Sequence, residues 1–235
     1  MTTRMTTWHL HPLNARHGLT PVLSEIRATA RQAVALASAH AAIPDFDLVI
    51  RARLDGAAPE WGIDSRATSP GVIEMTLSPQ RFDEAATIRA LVRHMYQLIR
   101  MDGPGQSRGL GDALVGEGLA AHFIAQVLGG RPDAWDATAP SSGLARRAMN
   151  EWSRLGWDRG EWFLGRGKLR KWSGYGLGHR LIAEHLAQNP GDDTVALVTA
   201  PADAFRAAIR ALAKSDGEPV EDEVADQAGE AAQNS

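Results

Sequence analysis

Between residues 84 and 101 the apolar positions recur with the period of a helix. Ile88, Leu91, Val92, Met95, Leu98 and Ile99 make one stripe, and Arg89, Arg93, Gln97 and Arg100 fall on the opposite side. Asp83 is placed to cap this helix, and Asp102-Gly103-Pro104-Gly105 cannot continue it. A second helix is expected from Gly111 or Asp112 to the Gly129-Gly130 stop. Upstream, residues 21–41 read as a helix with Pro21 in its first turn. Two stretches change to a period of two. In residues 46–54, Leu48, Ile50 and Ala52 alternate with Val49, Arg51 and Arg53. In residues 71–77, Ile73, Met75 and Leu77 alternate with Val72, Glu74 and Thr76. Residues 8–13 read as a short first strand that Pro12 ends, with His9 and His11 on one face. Residues 56–70 read as a loop crossing the sheet.

Further along, helices are expected over residues 145–155 and up to about Gln188, the latter entered through Ser173-Gly174-Tyr175-Gly176-Leu177-Gly178. Two short helices follow, near 193–199 and 202–214. The fold class is therefore α+β and mostly helical: a small N-terminal sheet, a pair of central helices, and a C-terminal helical part. Residues 1–214 form one domain, with the sheet and first central helix reaching about residue 102 and the helical part spanning 103–214. Residues 215–235 are acidic, poor in large apolar side chains, and expected to be disordered.

Glu117 interrupts the apolar side of the second central helix, on the side of Leu114, Ile124 and Leu128. A carboxylate there must be paired, hydrogen-bonded or metal-bound. Gly116 and Gly118 flank it and let another element approach closely. Arg93 on the first helix is the expected cation partner of Glu117.

These two helices have the layout of a zinc-peptidase helix pair. In a His-Glu-x-x-His helix, two imidazoles at i and i+4 reach one metal and the Glu activates water. Here Arg93 and Gln97 hold the i and i+4 positions, and His94 holds the Glu position. The chain resembles a family of predicted zinc-dependent proteases, small bacterial proteins grouped with the gluzincins. The resemblance runs over roughly residues 8 to 210. It is carried by Pro59-Glu60-Trp61-Gly62-Ile63, a strand ending in Leu77-Ser78-Pro79, the first central helix, Leu114-Val115-Gly116-Glu117-Gly118-Leu119-Ala120, Glu161-Trp162-Phe163-Leu164-Gly165, and Trp172-Ser173-Gly174-Tyr175-Gly176. It implies that Glu117 matches the third zinc ligand, 20 positions after Gln97. It also implies that Tyr175 is a cleft residue that hydrogen-bonds a carbonyl oxygen.

The three altered positions change together, and the chemistry follows from what replaced them. A guanidinium has no lone pair to offer a metal and repels it. Glu117 alone cannot make a zinc site, which needs three protein ligands and a water. The leading reading is a pseudopeptidase: a scaffold without zinc or peptidase activity that binds a peptide or protein through Glu117, Tyr175 and His179. Its relic positions are Arg93, His94, Gln97 and Glu117. In zinc peptidases of this type the strand before the metal helix pairs with extended substrate, so residues 71–77 are the expected peptide edge. An alternative is an active zinc peptidase with a shifted ligand set of His94, Glu117, and His122 or His179. His94 stands one residue along, roughly 100° around the helix, from the ligand position. A further alternative is a metal-free enzyme with His94 as general base near Glu117 and Tyr175. In that reading the sequence names no nucleophile.

Composition narrows the rest. The chain has no Cys, so any metal would need His, Asp or Glu. Seven of the 28 acidic residues lie after Lys214 with no basic one among them, so residues 1–214 carry 25 basic and 21 acidic groups. Trp135, Trp152, Trp157, Trp162 and Trp172 sit among Arg and Lys, a mixture that can serve nucleic-acid binding. The basic excess is small and no nucleic-acid module is present, so no nucleic-acid partner is expected. No apolar run reaches membrane length and the N-terminal stretch lacks the apolar core of a signal peptide, so the expectation is a soluble cytoplasmic protein with no membrane partner.

Overall fold

The computed structural model describes residues 5–53, 63–103 and 108–216. Within them lie strands β1 (Trp8–Leu13), β2 (Phe46–Ala52), β3 (Ile63–Ser69) and β4 (Val72–Leu77). The helices are α1 (Leu23–Ser38), α2 (Glu84–Asp102), α3 (Leu110–Leu128), α4 (Leu144–Glu151), α5 (Arg159–Leu164), α6 (Ser173–Gln188) and α7 (Arg206–Ser215). The α+β class, the N-terminal sheet and the central helix pair are as expected.

The strands form one sheet in the order β1-β2-β4-β3. β1, β2 and β4 run parallel, and β3 is antiparallel to β4. The first parallel step is bridged by α1, the kind of long crossover such a pair requires. The period-two reading holds in register: Leu48 lies beside Ile73, Ile50 beside Met75, and Ala52 beside Leu77. These side chains are buried apart from the half-buried Ala52, and they face the helices. The other face is wet. There Glu74 meets Arg66 at 3.0 Å and Arg51 at 3.6 Å.

Four expectations are corrected. Pro12 does not end β1 but sits inside it, opposite Ile50, which an edge strand tolerates. Residues 63–69 are not loop; they form β3, joined to β4 by Pro70-Gly71, with Gly71 at φ 71°. Pairing with β4 overrides their weak, polar strand signal. The start of that predicted loop and the Pro59–Gly62 segment lie outside the described residues. Residues 193–199 form turns rather than a helix. Their carbonyls are taken from outside: Tyr96 donates to Thr194 at 2.6 Å, and Arg100 donates to Val198 and Ala200 at 3.0 and 3.1 Å. Lastly, α2 is buried on both sides. Arg93 and Arg100, expected on a polar face, are 6% and 4% exposed. α7 reaches Ser215, and the predicted acidic tail beyond Asp216 lies outside the described residues.

α2 packs on α1 and the sheet on one side and on α3 on the other, and α3 in turn packs against α6. The α3–α6 contact is set by glycine. A Cβ on Gly118 would stand 2.1 Å from the Gly178 carbonyl oxygen, and one on Gly178 would stand 2.5 Å from the Leu114 oxygen. Backbone therefore lies on backbone beside Glu117. Gly116 has no such constraint, its nearest neighbour being the Arg100 side chain at 3.5 Å.

Adding a methyl group at this crossing forces the two helices apart. Gly118→Ala is expected to cost at least about 1–3 kcal/mol, the range for overpacking. Gly116→Ala is expected to leave stability unchanged or slightly raised. Urea denaturation of the two variants checks the contrast.

Candidate functional site

α2, α3, α5 and the segment after α3 bring together a cluster of charges, of which Arg93, Glu117 and Asp136 are buried. The first member is Arg93, whose backbone position follows from the cap of α2: the Asp83 carboxylate accepts from the Ala86 amide at 2.9 Å. The guanidinium donates to the Glu117 carboxylate at 3.4 Å, to Asp133 at 3.3 Å, and to Asp136 through a short contact. The ring of Trp135 lies 5.5 Å from its central carbon. Arg159 from α5 donates to the other Glu117 oxygen at 2.9 Å and to the Tyr175 hydroxyl at 3.2 Å. Arg89 closes the cluster, donating to Asp133 at 2.6 Å. Three guanidiniums thus meet three carboxylates.

Burial sets the proton affinities here, and pairing corrects them. Burial alone would push the Glu117 carboxyl up, but Arg159 and Arg93 together hold it below the ordinary range. Burial opposes charge on Arg93 as well, and Asp136, Glu117 and Asp133 outweigh it, so the guanidinium is held above its ordinary value. Asp136 differs. Burial pushes its carboxyl up to about 7 against the pull of Arg93, and its Oδ1 is buried with no hydrogen-bond partner.

A second set of contacts runs from the same carboxylate. Gln97 donates to Glu117 at 3.2 Å. An ionised carboxylate only accepts, so the amide nitrogen of Gln97 faces Glu117 and its oxygen faces away. That oxygen lies 2.8 Å from His94 Nδ1, which therefore carries the proton. His94 Nε2 is left with its lone pair, 2.8 Å from Ser65 Oγ on β3. Burial lowers the His94 pKa and keeps the ring neutral.

The cluster and the relay border a cavity of about 710 Å³. Five consecutive residues of β3, Ile63–Ala67, line it, so the free edge of that strand rather than one face opens into it. β3 pairs only with β4 among the described residues. Strand β4, expected to be the peptide edge, is flanked on both sides by β2 and β3 and has no free edge.

The family model described as Predicted Zn-dependent protease (DUF2268) matches residues 26–207. The chain belongs to this family. No curated protein and no solved structure matches it. Arg93, His94 and Gln97 converge with Glu117 and Tyr175 on one cavity. His179 is not among the residues that line it. His179 stacks on His122 with ring centroids 4.5 Å apart, and His122 donates to its backbone carbonyl at 3.0 Å. Burial and the neighbouring His122 push His179 down to about 4. Among the described residues no group of three or more His, Asp or Glu side chains is disposed to hold a metal ion. No described helix is long and apolar enough to cross a membrane.

The residues missed from sequence are Ser65, Asp133, Asp136 and Arg159. Ser65 lay in a presumed loop. The two aspartates follow Gly129-Gly130-Arg131-Pro132 and look like ordinary loop acids. Arg159 is one cation among several in the Trp-rich segment. The charge of Glu117 called for a cation, which the sequence supplies in Arg93 and the structure also in Arg159; nothing in the sequence signalled Ser65, Asp133 or Asp136.

Arg93→Met leaves Glu117, Asp133 and Asp136 around a missing cation, and is expected to cost about 3–5 kcal/mol in chemical denaturation. The aspartate has a pH signature of its own. Its folded pKa is raised from 3.8 to about 7, so its contribution to stability falls as pH rises through that window. Glu117 has the opposite sign: its contribution is present above about pH 4.5 and is lost on acidification. Asp136→Asn is therefore expected to flatten the fall in melting temperature between about pH 4 and about pH 7.

Proposed function

We propose that this member of the zinc-protease family has exchanged its metal for arginine, and that it uses the remaining cleft to bind an extended peptide without zinc-dependent hydrolysis. The observation that carries the reading is Arg93. Its guanidinium stands at the first ligand position of the signature helix and satisfies Glu117, the residue that matches the family's third ligand. The side chains present do not fit zinc. Glu117 is held by two guanidiniums and an amide, none of which gives a strong donor, and His94 has both nitrogens engaged, with Gln97 and Ser65. The shifted ligand set has less support, because His122 and His179 stack on one another and neither lines the cavity that His94 lines.

Peptide binding is supported by the strand edge. The free edge of β3 presents backbone donors and acceptors to the cavity, and an added strand would satisfy them. The wall offers apolar contacts as well: Met101 and Leu164 line it and are 39% and 42% exposed. Arginines and carboxylates are balanced along the rest, so the expected ligand is an extended segment read mainly through its backbone.

Metal content and hydrogen exchange test the two halves of the proposal. The purified native chain is expected to hold well under one zinc per molecule, while Arg93→His with Gln97→His, which restores imidazoles at i and i+4, gains zinc. Stoichiometric zinc in the native chain overturns the reading. Extended peptides added to the native chain are expected to slow amide exchange in residues 63–67. Peptide-dependent protection confined to other elements overturns the strand-edge mode.

A further inference from the structure

We infer that the cleft contains a metal-free acyl-transfer centre in which Ser65 is the nucleophile and His94 its general base, acting on carboxylic esters. The inference goes beyond the peptide-binding reading and needs neither zinc nor a bound peptide.

The geometry is that of an activated hydroxyl. Ser65 Oγ lies 2.8 Å from His94 Nε2, within reach for direct proton transfer. The chain of acceptors behind the ring leaves Nε2 as the basic nitrogen. Glu117 fixes the amide orientation of Gln97, and the Gln97 oxygen then fixes the proton on Nδ1. A base held in one tautomer by a third group is the arrangement that nucleophilic hydrolases use. Here the third group is a neutral amide with a carboxylate behind it. A charged carboxylate in direct contact would favour the imidazolium more strongly, so a slower centre is expected.

Placement supports the same role. Ser65 is half-buried and His94 is 6% exposed, yet both line the cavity. The nucleophile sits on a strand held by β4 in register with Met75, so it does not depend on a loose loop. The base sits on α2, locked between sheet and α3. Tyr175 and Arg159 line the same cavity.

The reaction balances without an added reagent. As Ser65 Oγ bonds to the ester carbonyl carbon, its proton passes to His94 Nε2. Collapse of the tetrahedral species breaks the carbon–oxygen bond to the alcohol, which leaves with that proton, and Ser65 carries the acyl group. Water then adds to the acyl carbon and gives a proton to Nε2. Ser65 Oγ leaves and recovers it, releasing the carboxylic acid.

A fluorophosphonate probe tests the centre in the native full-length chain, with intact mass and peptide mapping as readouts. Ser65 Oγ would displace fluoride at phosphorus, giving one adduct per chain, located at Ser65 and absent from Ser65→Ala. His94→Asn is expected to slow labelling at least tenfold. If that variant does not fold, Ser65→Cys replaces it. The chain has no cysteine, so the new thiol is the only one present, and its alkylation by iodoacetamide near pH 7 is expected to exceed that of a free cysteine about tenfold. The inference is overturned if the native chain forms no Ser65 adduct, if His94→Asn labels at the native rate, or if the Ser65→Cys thiol reacts as an ordinary one. The Ser65–His94 contact would then be only a tie between β3 and α2. Zinc content and peptide protection read the binding proposal separately and do not depend on this result.

Discussion

A guanidinium buried at the centre of the chain cannot survive there alone. Removing such an ion from water costs several kcal/mol, and only close countercharges recover it. Arg93 has three: Glu117 from α3, and Asp133 and Asp136 from the segment that follows. Glu117 and Asp136 are themselves buried and Asp133 is partly so, and the buried pair would be unstable without the cation. The four groups therefore constrain the position of α2, α3 and residues 133–136 together. Arg159 extends the constraint to α5 by taking the free oxygen of Glu117.

This dependence explains how this member of the zinc-protease family holds α2, α3 and residues 133–136 in place with arginine as the central cation. In a zinc site the metal neutralises the ligand carboxylate. Here two guanidiniums neutralise Glu117, and the planar donor fork of Arg93 also reaches Asp133 and Asp136. Arginine is permanently charged and has no lone pair for a metal, whereas a zinc ion activates bound water, so a guanidinium supplies positive charge without supplying hydroxide.

The cleft is framed by two rigid borders. On one side β3 is held by β4, and its outer edge pairs with no other strand among the described residues. On the other, α3 is pinned to α6 by the backbone contact at Gly118 and Gly178. Between them lies a hydrogen-bonded line from Glu117 through Gln97 and His94 to Ser65. The line links the charged cluster to the strand edge, so any ligand seated on β3 lies directly beside His94.

Much of this was legible in the residues themselves. The stripe Ile88 to Ile99 and the cap at Asp83 specify α2, and the alternation around Leu48 and Ile73 specifies two strands, because local periodicity reports which face meets the core. Glu117 announced a buried charge in need of a partner, since a carboxylate among leucines is costly in any fold. The sequence also named one partner, Arg93, which the structure places 3.4 Å from Glu117; only the tertiary structure decided the others. β3 exists because β4 offers it an edge, a non-local pairing that its own polar sequence barely signals. Arg93 and Arg100 are buried because a second layer of helices covers the face of α2 that looks polar in isolation. Asp133, Asp136, Arg159 and Ser65 join the site from segments far apart along the chain. Sequence spacing reports neighbours on one element, whereas the countercharges of a buried ion are set by how elements pack.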